Sequence, residues 1–504
     1  MQRIENQAVA SSAERDYGIV KSYFAKLRAP HYDKDSGKSI SSTPIIDITE
    51  KLIPYLSDRG RESNSNRFFL KEEYKNQLTE SIKGRAVAAM VLNAIESGSI
   101  YSSSGMRKRW IEPTSGNTGK GLAAIAKLLG IEFTAVLSRL DVSPEIKNNL
   151  IRSGAKIITI GSEYSVNDLE AIASQQKKPV HYYWSMVAGI DANSKSILSK
   201  AVNSARKLAD IRDVEVKQVE GGMLIDPLLP LAVQASKSPI IDQVQRGEYL
   251  ELKDRLQKKI PELQAGNDNI VAFLCSHGNS SMALNALFSQ LGFGNVCSIK
   301  GGMDALNIQA KNGGGEGQSE EFCPIPGTSI ARSSIEFVKK VVNDNPDRYF
   351  TFMQYENIEN TRAHEQTTGP ELEEQIEGIS SVACTFGTGG TATGLAQFFA
   401  PKGVKVLAAF PEKPVEGIRT MNGAEGLAFF KPELYSEIIQ VNNSDAMELL
   451  NYLLRNNINV GPSTAIALKA AIEASANETG KKYAVIAADG IENYTSHYYR
   501  QVEN

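Results

Sequence analysis

The sequence has little of what several classes of protein require. Cysteine occurs only four times in 504 residues, at positions 275, 297, 323 and 384, which forms neither a disulfide framework nor a paired zinc-ligand pattern. Lysine and arginine (55) do not outnumber aspartate and glutamate (58), and the net charge of −3 predicts no nucleic-acid partner. No apolar run approaches the ~18 residues of a membrane-spanning helix. The first twenty residues lack an apolar signal-peptide core, so we expect a cytoplasmic protein.

What remains is ordinary globular composition, with 41% hydrophobic and 22% charged residues. At ~150 residues per domain, the length predicts two to four domains. Short apolar stretches such as FFLKEE (68–73), RWIEPTSG (109–116) and VACTFGTGG (382–390) read as strands, and helical stretches lie between such strands. Strands that alternate with helices indicate an α/β fold with a parallel sheet.

Changes in composition and in strand–helix pattern along the chain predict an interrupted domain. Residues 1–42 are polar and read as a surface extension that can fold back on the rest of the chain. The main α/β body is expected over 43–160 and 331–504. Residues 161–330 have an α/β pattern of their own and end near the Gly-rich linker NGGGEGQSE (312–320), so we interpret them as an insertion.

Three segments carry the predicted chemistry: TESIKGRA (79–86), EPTSGNTGKGLA (112–123) and FGTGGTATG (386–394). The last lies between a strand and a helix, where glycines let backbone N–H groups and the helix N-terminus hold a phosphate. The second offers hydroxyl and amide donors that suit a carboxylate. Lys83 starts a helix, so its amine is either solvent-exposed or chemically engaged, and burial would make it a nucleophile.

In this order the segments resemble the cysteine synthase/cystathionine β-synthase family of fold-type II pyridoxal-phosphate (PLP) enzymes. The resemblance extends to TPIID (43–47), YFTFMQYENIEN (349–360), AHEQTTGPE (363–371), GPSTAIAL (461–468) and ADGIENY (488–494). It implies that Lys83 forms the Schiff base with pyridoxal 5′-phosphate and later moves the Cα proton. It also implies that Asn117 hydrogen-bonds the cofactor's 3′ oxygen. The phosphate would bind Gly387, Thr388, Gly389, Gly390 and Thr391, and the substrate carboxylate would bind Thr114, Ser115, Thr118 and Gln354.

The sequence departs from the family pattern in two places. Gly84 stands where an aspartate commonly follows the Schiff-base lysine. Gly490 stands where the resemblance places a serine beside the pyridine nitrogen, and glycine has no side chain for that contact. Asp489 or a water could replace the serine, or the nitrogen could have no partner.

The insertion has a resemblance of its own, over about 205–310. IVAFLCSHGNSSMALNALF (270–288) and the later Gly301-Gly302 resemble a rhodanese domain, in which Cys275 would carry sulfur as a persulfide. Ser280 stands where the rhodanese loop has an arginine. In MLIDPL (223–228), Pro227-Leu228 follow Asp226 where the corresponding rhodanese strand often has Val-Arg. The alternative is a degenerate rhodanese used for packing, with Cys275 a buried apolar residue.

Three functions follow as hypotheses. The first is β-replacement on a serine-derived amino acid, with a sulfur donor handled by the rhodanese-like insertion. The second is a cysteine lyase that passes sulfur to Cys275, and the third is a catalytically silent scaffold or regulatory module. A homodimer without metal, membrane or nucleic-acid partners is expected.

Overall fold

The structure is a computed structural model of the 504-residue chain. It describes residues 2–60, 64–114, 116–137, 144–159, 163–164, 180–184, 216–217, 252–254, 256–258, 260–264, 269–274, 279–293, 295–299, 334–413, 415 and 417–494. The chain divides into two compact units. The first unit is Met1–Ala135, Val142–Lys156 and Asp347–Asn504, and the second is Val136–Asp141 and Ile157–Pro346.

Helices and strands alternate along much of the chain. The helices are α1 (Gln2–Leu27), α2 (Thr49–Ser57), α3 (Lys83–Glu96), α4 (Asn117–Leu129), α5 (Pro144–Arg152), α6 (Asn279–Gln290), α7 (Ser334–Asp344), α8 (Glu359–Ala363), α9 (Gly369–Gln375), α10 (Gly390–Phe399), α11 (Met421–Ala424), α12 (Asn443–Arg455) and α13 (Pro462–Ala474). The strands are β1 (His31–Asp33), β2 (Lys38–Ile40), β3 (Ile45–Asp47), β4 (Arg67–Glu72), β5 (Arg109–Pro113), β6 (Phe133–Leu137), β7 (Lys156–Thr159), β8 (Glu163–Tyr164), β9 (Val180–Trp184), β10 (Val216–Lys217), β11 (Ile270–Leu274), β12 (Val296–Ile299), β13 (Tyr349–Phe350), β14 (Ser381–Thr385), β15 (Lys405–Pro411), β16 (Glu437–Val441) and β17 (Lys482–Ala487). A π-helical turn, His364–Thr368, joins α8 to α9.

The largest described sheet has six strands in the order β16-β15-β14-β17-β4-β3. Every pair is parallel except β3 with β4. Its central strands are continuous apolar runs because a parallel sheet is covered on both faces. Phe386, Phe399 and Phe410 lie without exposure in the core beside it, and α13 packs on the same sheet. The predicted parallel α/β architecture is confirmed.

A second sheet has the order β13-β5-β6-β7. Its first strand, β13, covers only Tyr349–Phe350 of RYFTFMQ (348–354), the segment at which the α/β pattern resumes in the sequence. The next backbone N–H groups, from Phe352 to Gln354, donate instead to the Glu112 carboxylate at 2.9–3.0 Å. A side chain has replaced a neighbouring strand as their acceptor, so the strand ends early.

The first forty residues are more ordered than their polarity suggests. α1 is 26 residues long and packs against α3 and α4. Asp16, Val20 and Phe24 follow at four-residue intervals, and all three are buried. Asp16 accepts hydrogen bonds from Arg107 and from the Tyr101 hydroxyl, which satisfy its buried charge.

The second unit contains a five-stranded sheet in the order β10-β9-β11-β12-β8, with parallel pairing throughout. α6 packs against β11 and β12. Cys297 is fully buried in β12, as expected for a core residue. Cys275 follows β11 in sequence and lies outside the described residues, as do residues 223–229. Within the described part of the chain, none of the helices has the length and apolar character needed to span a bilayer.

Candidate active site

One cavity in the first unit brings the predicted segments together. Its lining is Ser81, Ile82, Lys83, Asn117, Thr118, Ile146, Cys384, Thr385, Gly387, Thr388, Gly389, Thr391, Gly417, Ile418, Ser463, Ile486, Ala488, Asp489 and Tyr494. Two of these residues carry charge, the Lys83 cation and the Asp489 carboxylate.

Lys83 stands at the first position of α3, where its amine reaches into the cavity. The chain before it is fixed to the six-stranded sheet, because the Ile82 N–H donates to the Ala488 carbonyl at 2.8 Å. The Lys83 Nζ lies 3.5 Å from the Thr388 hydroxyl. Burial lowers the pKa of Lys83 to about 8, against the opposing effect of Asp489. The amine is therefore much more often neutral than a surface lysine, as a nucleophile requires.

The Gly-rich turn over 387–391 joins the end of β14 to the start of α10. Gly387, Thr388, Gly389 and Thr391 line the cavity, and Gly390 begins α10 between them. Gly389 has φ +92°, and a Cβ there would lie 2.5 Å from the Phe386 Cζ. Only glycine allows this conformation and this close approach. The turn presents the N-terminus of a ten-residue helix to the cavity, which suits a phosphate.

Asn117 and Asp489 meet at another part of the wall. Asn117 is the first residue of α4, and its Nδ2 donates to the Asp489 Oδ2 at 3.0 Å. Tyr494 donates its hydroxyl to the same oxygen at 2.7 Å. Ser463, in the first turn of α13, donates to the Asp489 Oδ1 at 3.5 Å. Burial raises the pKa of Asp489 to about 6, although these donors favour the ionised form.

The residues predicted to bind the substrate carboxylate are only partly brought to the cavity. Thr118 lines it and donates its hydroxyl to the Gln354 Oε1 at 2.8 Å. Gln354 is buried behind Thr118, and its Nε2 donates to the Pro113 carbonyl. Thr114 shapes the turn, since its hydroxyl accepts from the N–H groups of Gly116 and Gly119. Ser115 lies outside the described residues.

The Glu112 carboxylate fixes the backbone of the segment that contains Gln354. It is fully buried and accepts three backbone N–H groups and the Thr351 hydroxyl. Burial raises the pKa of Glu112 to about 7, against the effect of these hydrogen bonds. The carboxylate holds residues 351–354 against the end of β5, and Met353 in that segment adopts φ +49°. Gln354 is placed beside Thr118 by this contact.

Packing explains the glycine at position 84, whereas an added Cβ at Gly490 would meet the far end of the exposed Glu492 side chain. A Cβ at Gly84 would lie 2.4 Å from the Asn76 Oδ1, so the space of the usual aspartate is occupied by an asparagine. A Cβ at Gly490 would point at the Glu492 carboxylate, 2.0 Å away, and Gly490 is not among the cavity residues. Ser463 and Asp489 line the cavity instead, so the polar groups of this wall come from α13 and from the residue before Gly490.

Two functional candidates had no role assigned from sequence. Ser463 lies in GPSTAIAL, where its position at a helix start was the available signal. Asn360 is buried, and its Nδ2 donates to the Gln354 carbonyl and to the Thr388 hydroxyl. It thereby connects the wall around Gln354 to the Gly-rich turn. Sequence periodicity could not find it, because both partners come from other segments.

Comparison with known proteins gives the class. A family described as pyridoxal-phosphate dependent enzyme matches residues 42–199 and 252–489. A cysteine synthase of Staphylococcus aureus is 32% identical over 215 residues, which are 39% of this chain and 68% of that protein. A probable cysteine synthase of Bacillus subtilis is 32% identical over 195 residues, or 35% of this chain and 62% of that protein. A crystal structure of cysteine synthase from Entamoeba histolytica is 18% identical, with a TM-score of 0.49, and covers 92% of this chain and 89% of that one.

The chain belongs to the pyridoxal-phosphate dependent enzyme family, because the family match covers more than half of its length. It is a PLP-dependent enzyme. The cavity fits that cofactor in chemical terms, since it combines one buried amine with a glycine turn in which added Cβ atoms would clash. The family match leaves out residues 200–251, and the boundaries of the predicted insertion stay a prediction.

Proposed function

We propose that this enzyme replaces the β-substituent of a serine-derived amino acid with a sulfur nucleophile, as a cysteine synthase would. The observation that carries the proposal is the single cavity that joins the Lys83 amine, the 387–391 turn and the Thr118 hydroxyl. These groups suit an aldehyde, a phosphate and a carboxylate, respectively. The cysteine synthase names of the sequence relatives support the same reaction class.

Each group has a defined task in this proposal. The cofactor, once bound, supplies an electron sink for the bond at the amino acid's Cα. Lys83 holds the cofactor covalently and afterwards moves the Cα proton, for which a pKa near 8 is well placed. Gly387 to Thr391 hold the phosphate, with Asn117 near the 3′ oxygen. Thr118, positioned by Gln354 and with Thr114 and Ser115 nearby in the chain, orients the substrate carboxylate.

A substrate panel tests the reaction class. The full chain, loaded with PLP, is offered O-acetylserine or O-phosphoserine with sulfide, and cysteine alone as the alternative substrate. Formation of cysteine from either serine derivative supports β-replacement. Sulfide release from cysteine, without synthesis from the serine derivatives, would instead support the lyase alternative. The Lys83→Ala variant controls for chemistry that free PLP performs in solution.

We further propose that the second unit carries sulfur on Cys275, whose thiolate attacks the outer sulfur of a donor persulfide, becomes a persulfide itself and releases the donor as a thiol. Support comes from the parallel sheet around β11 and from α6, which follows Cys275 in sequence. Mass spectrometry after exposure to a persulfide donor should show one added sulfur atom, absent in Cys275→Ser. Cys297→Ser is the matched control, because that thiol is fully buried. Equal uptake by wild type and Cys275→Ser would contradict the carrier role.

Residues 161–330 form a separate insertion in this proposal, and the enzyme acts as a homodimer. Replacing 161–330 with a short Gly/Ser bridge should leave a soluble protein that binds PLP and sediments as a dimer, since loop lengthening costs little entropy. A shortened chain that cannot bind PLP would show that the insertion is integral to the enzyme body.

A further inference from the structure

We propose that the Asp489 carboxylate accepts the hydrogen bond of the cofactor's pyridine nitrogen and keeps that nitrogen protonated. The inference rests on the proposed placement of the cofactor between Lys83 and the 387–391 turn. It assigns the one acidic group of the cavity lining within the described part of the chain. It also names a side chain for the contact that Gly490 cannot make.

The position of Asp489 is set by the six-stranded sheet. It follows the end of β17 and forms an isolated antiparallel bridge with Ser81, two residues before Lys83. Its side chain lines the cavity, and the residue is only 5% exposed. A carboxylate this deeply buried requires hydrogen-bond donors or an opposite charge.

The chemistry of the cofactor selects the partner. With its phosphate in the glycine turn and its aldehyde carbon at Lys83, the ring has two polar atoms left, the 3′ oxygen and the nitrogen. The oxygen is an acceptor and needs a donor, which the Asn117 amide can provide and an ionised carboxylate cannot. A protonated ring nitrogen is a donor with positive charge, and among the described residues that line the cavity Asp489 alone offers a negatively charged acceptor.

The carboxylate is held in place and still has capacity to accept. Tyr494 and Asn117 donate to one oxygen, and Ser463 donates to the other over a long 3.5 Å contact. A carboxylate has about four acceptor sites, so the Oδ1 that faces Ser463 can take another donor. A charged acceptor favours a pyridinium over a neutral pyridine, and a positive ring withdraws electrons from Cα more strongly.

The first test reads the nitrogen directly. The full chain is stripped of cofactor and reloaded with PLP that carries ¹⁵N in the ring, and its ¹⁵N NMR shift is recorded. We expect the shift of a protonated ring in wild type and in Asp445→Asn, which removes an exposed acid on α12. Asp489→Asn should give the shift of a neutral ring. A neutral ring in wild type, or a protonated ring in Asp489→Asn, would overturn the assignment.

The second test does not depend on the variant folding well. Wild type is titrated with PLP and with 1-deaza-PLP, in which C–H replaces the ring nitrogen. Loss of a charge-assisted hydrogen bond should weaken binding at least roughly tenfold, whereas equal affinities would refute the proposal. Borohydride reduction and peptide mapping accompany both tests. A label on another lysine would refute the placement of the cofactor at Lys83, whereas a label on Lys83 with a neutral ring would refute only the role of Asp489.

Discussion

Substitution of Gly390 by alanine should destabilise the 387–391 turn, because the added methyl group would clash with Asn360, which does not line the cavity. A Cβ at Gly390 would lie 2.2 Å from the Oδ1 and 2.5 Å from the Cγ of Asn360. Asn360 is 1% exposed, and its Nδ2 donates to the Gln354 carbonyl at 2.7 Å and to the Thr388 hydroxyl at 3.0 Å. The amide cannot move aside without breaking both hydrogen bonds.

The magnitude follows from these contacts. Each broken hydrogen bond costs about 1 kcal/mol, and forcing a methyl group into a packed core costs about 1–3 kcal/mol. Because the protein can choose the cheaper response, we expect Gly390→Ala to lower the free energy of unfolding by roughly 2–3 kcal/mol. PLP binding should weaken as well, since Thr388 is one of the two partners that Asn360 positions.

The fluorescence of Trp110, which is fully buried in the first unit, measures this free energy in a Trp184→Phe background during denaturant unfolding. Gly18→Ala is the matched control, because Gly18 lies inside α1 with nothing within 4 Å of an added Cβ. The free energy of unfolding of this control should rise by about 0.5–1 kcal/mol, because alanine has a higher helix propensity than glycine. If Gly390→Ala lowers the free energy of unfolding as much in an Asn360→Ala background as in wild type, or if Gly390→Ala is as stable as wild type, the clash argument is wrong.

Three further predictions concern the buried ionisable groups. Because the pKa of Lys83 is lowered to about 8, the rate at which PLP attaches to the stripped protein should rise with pH up to about 8 and then level off. In Asp489→Asn the plateau should begin at lower pH, as stopped-flow absorbance would show, since Asp489 raises the pKa of that amine. Glu112→Gln should lower the free energy of unfolding by about 1–3 kcal/mol, because the NH₂ group of glutamine cannot accept a hydrogen bond as the second carboxylate oxygen does. The surface change Glu132→Gln should alter the free energy of unfolding by no more than about 0.5 kcal/mol. The pKa of Asp489 is raised from 3.8 to about 6, so the stripped native state binds more protons than the unfolded state in that window. The free energy of unfolding of wild type relative to Asp489→Asn should therefore fall as pH rises from about 4 to 6.

Sequence periodicity was sufficient for much of the fold. The strand and helix patterns around Lys83, Asn117 and Gly390 correspond to β14, α3, α4 and α10, because buried parallel strands read as continuous apolar runs bounded by turn residues. The pattern does not indicate the backbone conformation that follows β13, because a distant side chain sets it. The N–H groups of 352–354 donate to Glu112, across 240–242 residues of sequence.

By itself, the sequence determined the fold class, the segments that carry the chemistry and the family to which they point. Those features are local, since glycine turns, helix starts and strand runs depend on neighbouring residues. Which side chains face the cavity depends on the tertiary structure. Gln354 contacts Thr118 without lining the cavity, whereas Ser463 and Asp489, which come from separate segments, line it. Burial and charge at that wall depend on contacts between residues far apart in the chain, and no local pattern records them.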